Sequence, residues 1–478
     1  MPPHRPCIRH FVAATPVALM LAVGGLADAQ AAYSQGEPVP YQDVRPWLKG
    51  APTTDDPRRV PIAPRKDENR VLVLKGGRLF DSVSAKVKEG TVVIRDNRIE
   101  AILPPSSTQW PAGAEIIDIS GETVLPGLID MHVHLTYPDS DTPIDEQADE
   151  ASGALLGARN MEYYIEYGIT SVRDLNGVDN APYVLAEWSA ANAIAGPRVF
   201  TAGHIITATG GHATERPVRP SHGPDFAWEV DGPDAWRAAV RKTFKQGASV
   251  IKIASHFAPD EVQAAVDESH RLGLKITCHC EGIYTEMAVK AGVDMIEHPL
   301  PRTDETIALM AKNHVASIPT LQVYQNVINR AGGYYNTTSG RFALTSQSIF
   351  DMFKKMKAAG VVMGVGTDTI GDADKMIPNN YINELKWFVK GGYTIDGALQ
   401  AATLTNAQLL DMGDKLGSLT PGKLADIVVV KGEPDHALDD LRKVDLVIKD
   451  GRVWVQGGQL RIPTLQSKAV PALPTDVK

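Results

Sequence analysis

His132 and His134, in the stretch PGLIDMHVHL, are the side chains of this sequence best placed to do chemistry. Residues 123–131 read as a short apolar strand, and residues i and i+2 of a strand project from the same face. Two imidazoles therefore leave one buried strand end side by side and offer two nitrogen donors to one ion, as zinc and other transition metals require. A lone His-x-His pair arises by chance, so the weight comes from further ligand types downstream. Lys252 in VIKIAS, His279 in ITCHCEG, His298 in DMIEHP and Asp368 in VGTDT supply them. Singly, each has a bland reading: a helix N-cap for Asp368, a snorkelling surface residue for Lys252, a turn residue for His298. Together they are expected to end separate strands of one sheet and to meet there.

The elements that must position them follow from the hydrophobic pattern. Candidate strands are Leu125–Met131, Thr170–Arg173, Arg198–Ala202, Val250–Ile253, Lys275–His279, Met295–Glu297, Ala316–Pro319 and Val361–Val365. Amphipathic helices fall between them, such as PDAWRAAVRKTFKQG and PDEVQAAVDESHRLG, each opening on Pro-Asp and closing at Gly. Eight β/α repeats predict an α/β fold, a (β/α)8 TIM-type barrel over residues 125–412, whose chemistry belongs at the C-terminal strand ends. On either side the texture changes to short β segments, in 71–124 and again in 413–465. Gly76-Gly77, Asp96-Asn97 and Asp450-Gly451 mark turns between these segments. The two flanks predict a small β-sandwich domain built from both chain ends.

The first residues read as a targeting segment rather than fold. Arg5 and Arg9 precede the apolar run FVAATPVALMLAVGGLA, and small residues follow at Ala27, Ala29 and Ala31. That pattern predicts a signal peptide over 1–31, cleaved after Ala29 or Ala31, and an exported, periplasmic or secreted protein. The run is too short, and too interrupted by Gly and Pro, for a comfortable membrane span. Residues 32–70 read as an extended N-terminal arm and 466–478 as a C-terminal tail. The net charge of −9 gives no basic footprint, which argues against a nucleic-acid partner. Only Cys278 and Cys280 remain after signal removal. They are expected to be buried thiols, unbridged and facing away from the side His279 uses.

From about residue 71 to 462 the chain resembles the amidohydrolase superfamily. The motifs that carry the likeness are LPGLIDMHVHL, YGITSVRDL, TGGH, GASVIKI, AGVDMIEH, GTD and LGSLTPGKLADIVVVKG. Within it the chain is similar to the prolidase-like and imidazolonepropionase-related branch. That branch includes Xaa-Pro dipeptidases, Xaa-Arg/Lys carboxypeptidases and ochratoxin-degrading amidases. The resemblance implies two divalent metal ions, zinc by default. His132, His134 and Asp368 would bind one ion and His279 and His298 the other, with an N-carboxylated Lys252 as bridge. A metal-bridging hydroxide would attack the amide bond of a small-molecule substrate, a dipeptide or N-acyl amino acid. Asp368 would carry the proton and His212, in ATGGHA, would stabilise the oxyanion. Oligomeric state stays open, although exposed barrel helices commonly support assembly into a homo-oligomer in similar proteins.

Where similar proteins often carry His-Ala-His or a Tyr-bearing segment around the strand-5 ligand, this chain has CHCEG, which leaves its substrate open. Loops 213–230 and 325–346 are expected to shape the pocket. Arg216, Arg219, His222, Tyr324 and Tyr334 are candidates for a substrate carboxylate, each with an ordinary solvated reading beside it. Two alternatives stay open: a cyclic amidohydrolase or lactonase on the same metals, and a non-catalytic metal-binding barrel protein. A deaminase fits less well, because a glutamate would be expected three residues after His279, where Gly282 stands.

Overall fold

The apolar run around residue 127 makes two strands, not one. Thr123–Pro126 pairs antiparallel with Ile427–Val430 and runs parallel to the Arg78–Leu79 part of Val71–Asp81. Leu128–His134 pairs instead with Ile169–Asp174, in parallel. Gly127 is where the chain passes from one sheet to the other. A Cβ there would stand 2.0 Å from Thr170 Oγ1, so no side chain fits the close approach. This computed structural model describes residues 69–137, 149–214, 227–331, 344–370 and 373–461. The expected signal peptide, most of the N-terminal arm, the C-terminal tail, and Arg216, Arg219, His222 and Tyr334 lie outside the described residues. Among those described, no helix is long and apolar enough to cross a membrane.

Parallel pairing links Leu128–His134, Ile169–Asp174 and Arg198–Thr201 in one sheet. It links Ile205–Thr207, Val250–Ala254, Lys275–His279, Met295–Glu297 and Ala316–Ile318 in another. Arg198–Thr201 runs on into Ile205–Thr207 and joins them. At the other seam residues 361–368 close the ring. Val362 and Gly364 bond Ser317, Met131 N–H donates to Val365 O at 3.0 Å, and Asp368 N–H to His132 O at 2.7 Å. The chain is thus a TIM-type barrel carrying a second, β domain.

The expected strand Val361–Val365 is an irregular extended segment. The Asn406 side chain takes the place of a regular ladder there: it accepts from Val365 N–H at 3.0 Å and donates to Val365 O at 2.9 Å and Ile129 O at 2.8 Å. Asn406 follows a π-helical turn, Ala401–Thr405, the kind of irregularity that re-aims a side chain. Elsewhere the helix signals act as read. Helices Pro233–Gln246 and Pro259–Arg271 both have Pro in the first turn, and the first stops at Gly247 in the left-handed region.

The second domain is one mixed sheet from both chain ends. Val71–Asp81, Lys86–Arg95 and Arg98–Leu103 lie on one side of Thr123–Pro126; Ile427–Val430, Val444–Lys449 and Arg452–Gln456 lie on the other. Leu72, Leu79, Ile94, Val124, Val429 and Ile448 are among its buried core. Turns form at Asp96-Asn97 and Asp450-Gly451. Gly76-Gly77 is not a turn. It lies inside Val71–Asp81, where the register shifts between Leu74 and Gly77, and the glycines absorb that bulge. Buried polar groups tie this sheet to the barrel: Arg198 to Asp426 at 3.2 Å, and Lys449 Nζ to Ser189 O and Oγ at 2.9 Å.

Candidate metal centre

At the C-terminal end of the barrel the imidazoles form a continuous chain. The His132 ring centroid lies 5.3 Å from that of His134 and 4.9 Å from that of His298. His298 and His279 are 4.4 Å apart, and His279 stacks on His212 at 3.7 Å. Asp368, at the end of the irregular eighth segment, reaches into this chain. Its Oδ1 stands 3.2 Å from His134 Nε2 and 3.4 Å from His132 Nε2. One donor atom from each of His132, His134 and Asp368 falls within 4.8 Å of the others, close enough to hold one metal ion.

Lys252 is the middle residue of Val250–Ala254, not its last, and only its long stem could bring the amine to the ring cluster. The side chain is buried, and among the described residues Nζ has no hydrogen-bond partner. Its charge is felt by His132, His279, His298 and Asp368. Burial, reinforced by Arg173 and opposed by Glu297 and Asp368, lowers its pKa to about 8. A buried cation with donors and no acceptor is costly. As a carboxylated amine the same side chain would present anionic oxygens, so the residues present fit a pair of cations.

Burial sets the remaining proton states. It lowers the pKa of His132 to about 4 and those of His279 and His298 well below the usual range, so these rings are neutral and free to ligate. Burial would raise the Asp368 carboxyl, but His132, His134 and Lys252 outweigh it and hold the group below its ordinary value.

The groups that aim the rings were not singled out in the sequence. His132 Nδ1 lies 2.8 Å from Glu297 Oε2, His134 Nδ1 3.0 Å from Asn176 O, and His298 Nδ1 2.8 Å from Thr320 Oγ1. The contacts on His132 and His134 leave their Nε2 atoms facing Asp368, whereas His298 Nδ1 itself also lies 3.7 Å from Asp368 Oδ2. His298, Thr320 and Asp368 all have positive φ, at 66°, 44° and 52°, a costly backbone for residues with a Cβ. Arg302 helps to hold the first of them by donating to His298 O at 2.6 Å. One signal was available: Glu297 is an acid at the end of a short apolar strand, directly before His298. Of the pocket candidates, Tyr324 is buried, its ring 5.3 Å from that of His298.

Cys278 and Cys280 correct an expectation. The structure joins their sulfurs in a disulfide across His279, with Cα atoms 5.3 Å apart, where free thiols were expected. Alternation along the strand puts both Cβ atoms on one side, and both side chains lie in the main hydrophobic core.

Comparison with known proteins agrees with this geometry. The sequence profile of the Amidohydrolase family matches residues 123–454. An uncharacterized protein of Mycobacterium tuberculosis is 27% identical over 367 residues, covering 73% of this chain and 89% of its own. Imidazolonepropionase from a Geobacillus species is 23% identical over 451 residues, covering 83% of this chain and 98% of its own. Among solved structures, a Xaa-Pro dipeptidase with methionine bound in its active site superposes with a TM-score of 0.73. It is 30% identical and covers 80% of this chain and all of its own.

Proposed function

Because this chain belongs to the amidohydrolase family, and is a metal-dependent hydrolase acting on C–N bonds, we propose that it hydrolyses the amide of a dipeptide or N-acyl amino acid. In this reading it works as an exported enzyme, assembled as a homo-oligomer. His132, His134 and Asp368 would hold one divalent ion and His279 and His298 a second, with an N-carboxylated Lys252 as a further anionic ligand. One observation carries the reading: a buried lysine amine with no hydrogen-bond partner among the described residues, whose charge acts on three imidazoles and an aspartate. The Xaa-Pro dipeptidase, with an amino acid in its active site, supports an amino acid as the leaving group.

The carboxylation balances simply. The neutral Lys252 amine adds to the carbon of CO2, an N–C bond forms, and one proton leaves to solvent. When bound, a pair of divalent cations, zinc by default, would polarise the scissile carbonyl and lower the pKa of water to about 7. The protein's own residues do the rest. Asp368, anionic and 3.2 Å from His134 Nε2, takes the proton of the attacking water and returns it to the leaving nitrogen. His212, stacked on His279, would stabilise the oxygen on which charge develops.

A panel of Xaa-Pro, Xaa-Phe and Xaa-Arg dipeptides, N-acyl amino acids and lactones tests the reading, run on wild type and Lys252→Ala. Amide cleavage by wild type alone supports it. Turnover confined to lactones would replace it with a lactonase.

A further inference from the structure

The three Nδ1 acceptors beneath the cluster differ in kind. His134 meets a backbone carbonyl, His298 a hydroxyl, and His132 a carboxylate, that of Glu297. A carboxylate polarises an imidazole more than a neutral acceptor does and makes Nε2 the stronger donor to a metal.

Glu297 is itself tightly fixed. Arg173 Nη2 donates to its Oε1 at 2.6 Å, and Thr277 Oγ1 makes a short hydrogen bond to the same oxygen. Arg173 Nε donates to Met131 O at 2.6 Å, the carbonyl just before His132. Both Glu297 and Arg173 are fully buried. The acid comes from the sixth strand, the arginine from the second, the threonine from the fifth and the imidazole from the first, so one carboxylate ties four strands beneath a single ligand.

The other half of the centre is built differently. Here Asp368 Oδ2 comes only to 3.7 Å from His298 Nδ1, and the third ligand would be Lys252, anionic only after carboxylation. The His132, His134 and Asp368 donors are already grouped without it.

We propose that the two metal positions fill in order, the His132–His134–Asp368 position first and without CO2, and that Glu297 is the positioning residue that makes this position the tighter one. The inference rests on the binuclear reading above, and its test separates the two.

Chelator-treated full-length protein is titrated with Zn2+ against a chromophoric competitor, in CO2-free buffer and then with bicarbonate. Wild type takes up one tight equivalent in the first buffer and a second only in the other. Glu297→Gln weakens the first step about 10–100-fold, the range for losing the hydrogen-bond partner of a ligating histidine. Thr277→Val removes one donor to Glu297, keeps its charge and side-chain shape, and weakens the same step by less. It covers the case in which Glu297→Gln fails to fold, which a melting curve of the metal-free protein reveals. Two equivalents bound together in CO2-free buffer overturn the order of filling. An unchanged first step in a folded Glu297→Gln, or in Thr277→Val if that is the only folded variant, overturns the role of Glu297. A wild type that never binds a second equivalent overturns the binuclear reading itself.

Discussion

Asp368 Oδ1 stands 3.2 Å from His134 Nε2, so a carboxylate from the last barrel segment meets an imidazole from the first strand across the seam that closes the ring. The Asp368 N–H bonds the His132 carbonyl at 2.7 Å, so the contact that closes the barrel also aims the acid. Asp368→Asn keeps the shape and removes both the anion and the proton carrier. Its kcat is expected to fall about 10²–10⁴-fold, the usual share of general acid–base catalysis, with the melting temperature little changed. Retained turnover in a metal-loaded Asp368→Asn would show that another group moves the proton.

Activation by CO2 should depend on pH through Lys252. Only the neutral amine can add to CO2, and burial lowers this group to about 8. At fixed dissolved CO2, the activation rate of stripped enzyme should climb as pH rises through about 8 and then level off. A rate that is flat or falls over that interval counts against Lys252 as the acceptor.

Thr320→Val leaves His298 Nδ1 without its 2.8 Å partner while preserving volume. Metal affinity at the second position should drop about 10–100-fold. Competition titration reads this directly, and an unchanged affinity would make Thr320 a packing residue only.

Lys449 gives a stability prediction away from the centre. Burial first, then Arg198, lowers its pKa to about 7 against an ordinary 10.5, with Asp426 and Asp450 opposing. Between those values the unfolded chain holds a proton that the folded chain does not, so this group adds stability as pH rises from about 7 to about 10.5. The same contribution is lost as pH falls from about 10.5 to about 7, and below that both states hold the proton and the slope vanishes. Lys449→Met should flatten that slope in denaturant melts taken across the interval. A slope identical to wild type would place the buried charge elsewhere.

The sequence carried much of this centre because ligand chemistry is a property of residue type and strand position. His132, His134, His279, His298 and Asp368 could be picked out one strand at a time. Glu297, Thr320 and Asn176 could not, because their roles depend on which ring each meets in space. The barrel was legible in its β/α alternation, yet the apolar run TVLPGLIDM hid a change of sheet at Gly127. The strand pairing on either side of Gly127 reveals it, and the close approach to Thr170 explains the glycine. The eighth strand was misread for a related reason. Residues 361–365 are apolar enough to be a strand and bond both neighbours, but the distant side chain of Asn406 takes the Val365 N–H and shares its carbonyl with Met131.

The most direct test of the central claim is amide hydrolysis by chelator-treated protein, followed as zinc is returned with bicarbonate. Wild type is predicted to be inactive when stripped and to regain dipeptide or N-acyl amino acid cleavage as it approaches two ions per chain. Lys252→Ala is predicted to stay inactive throughout. Full hydrolysis by the stripped protein, or recovery in Lys252→Ala equal to wild type, would contradict the account.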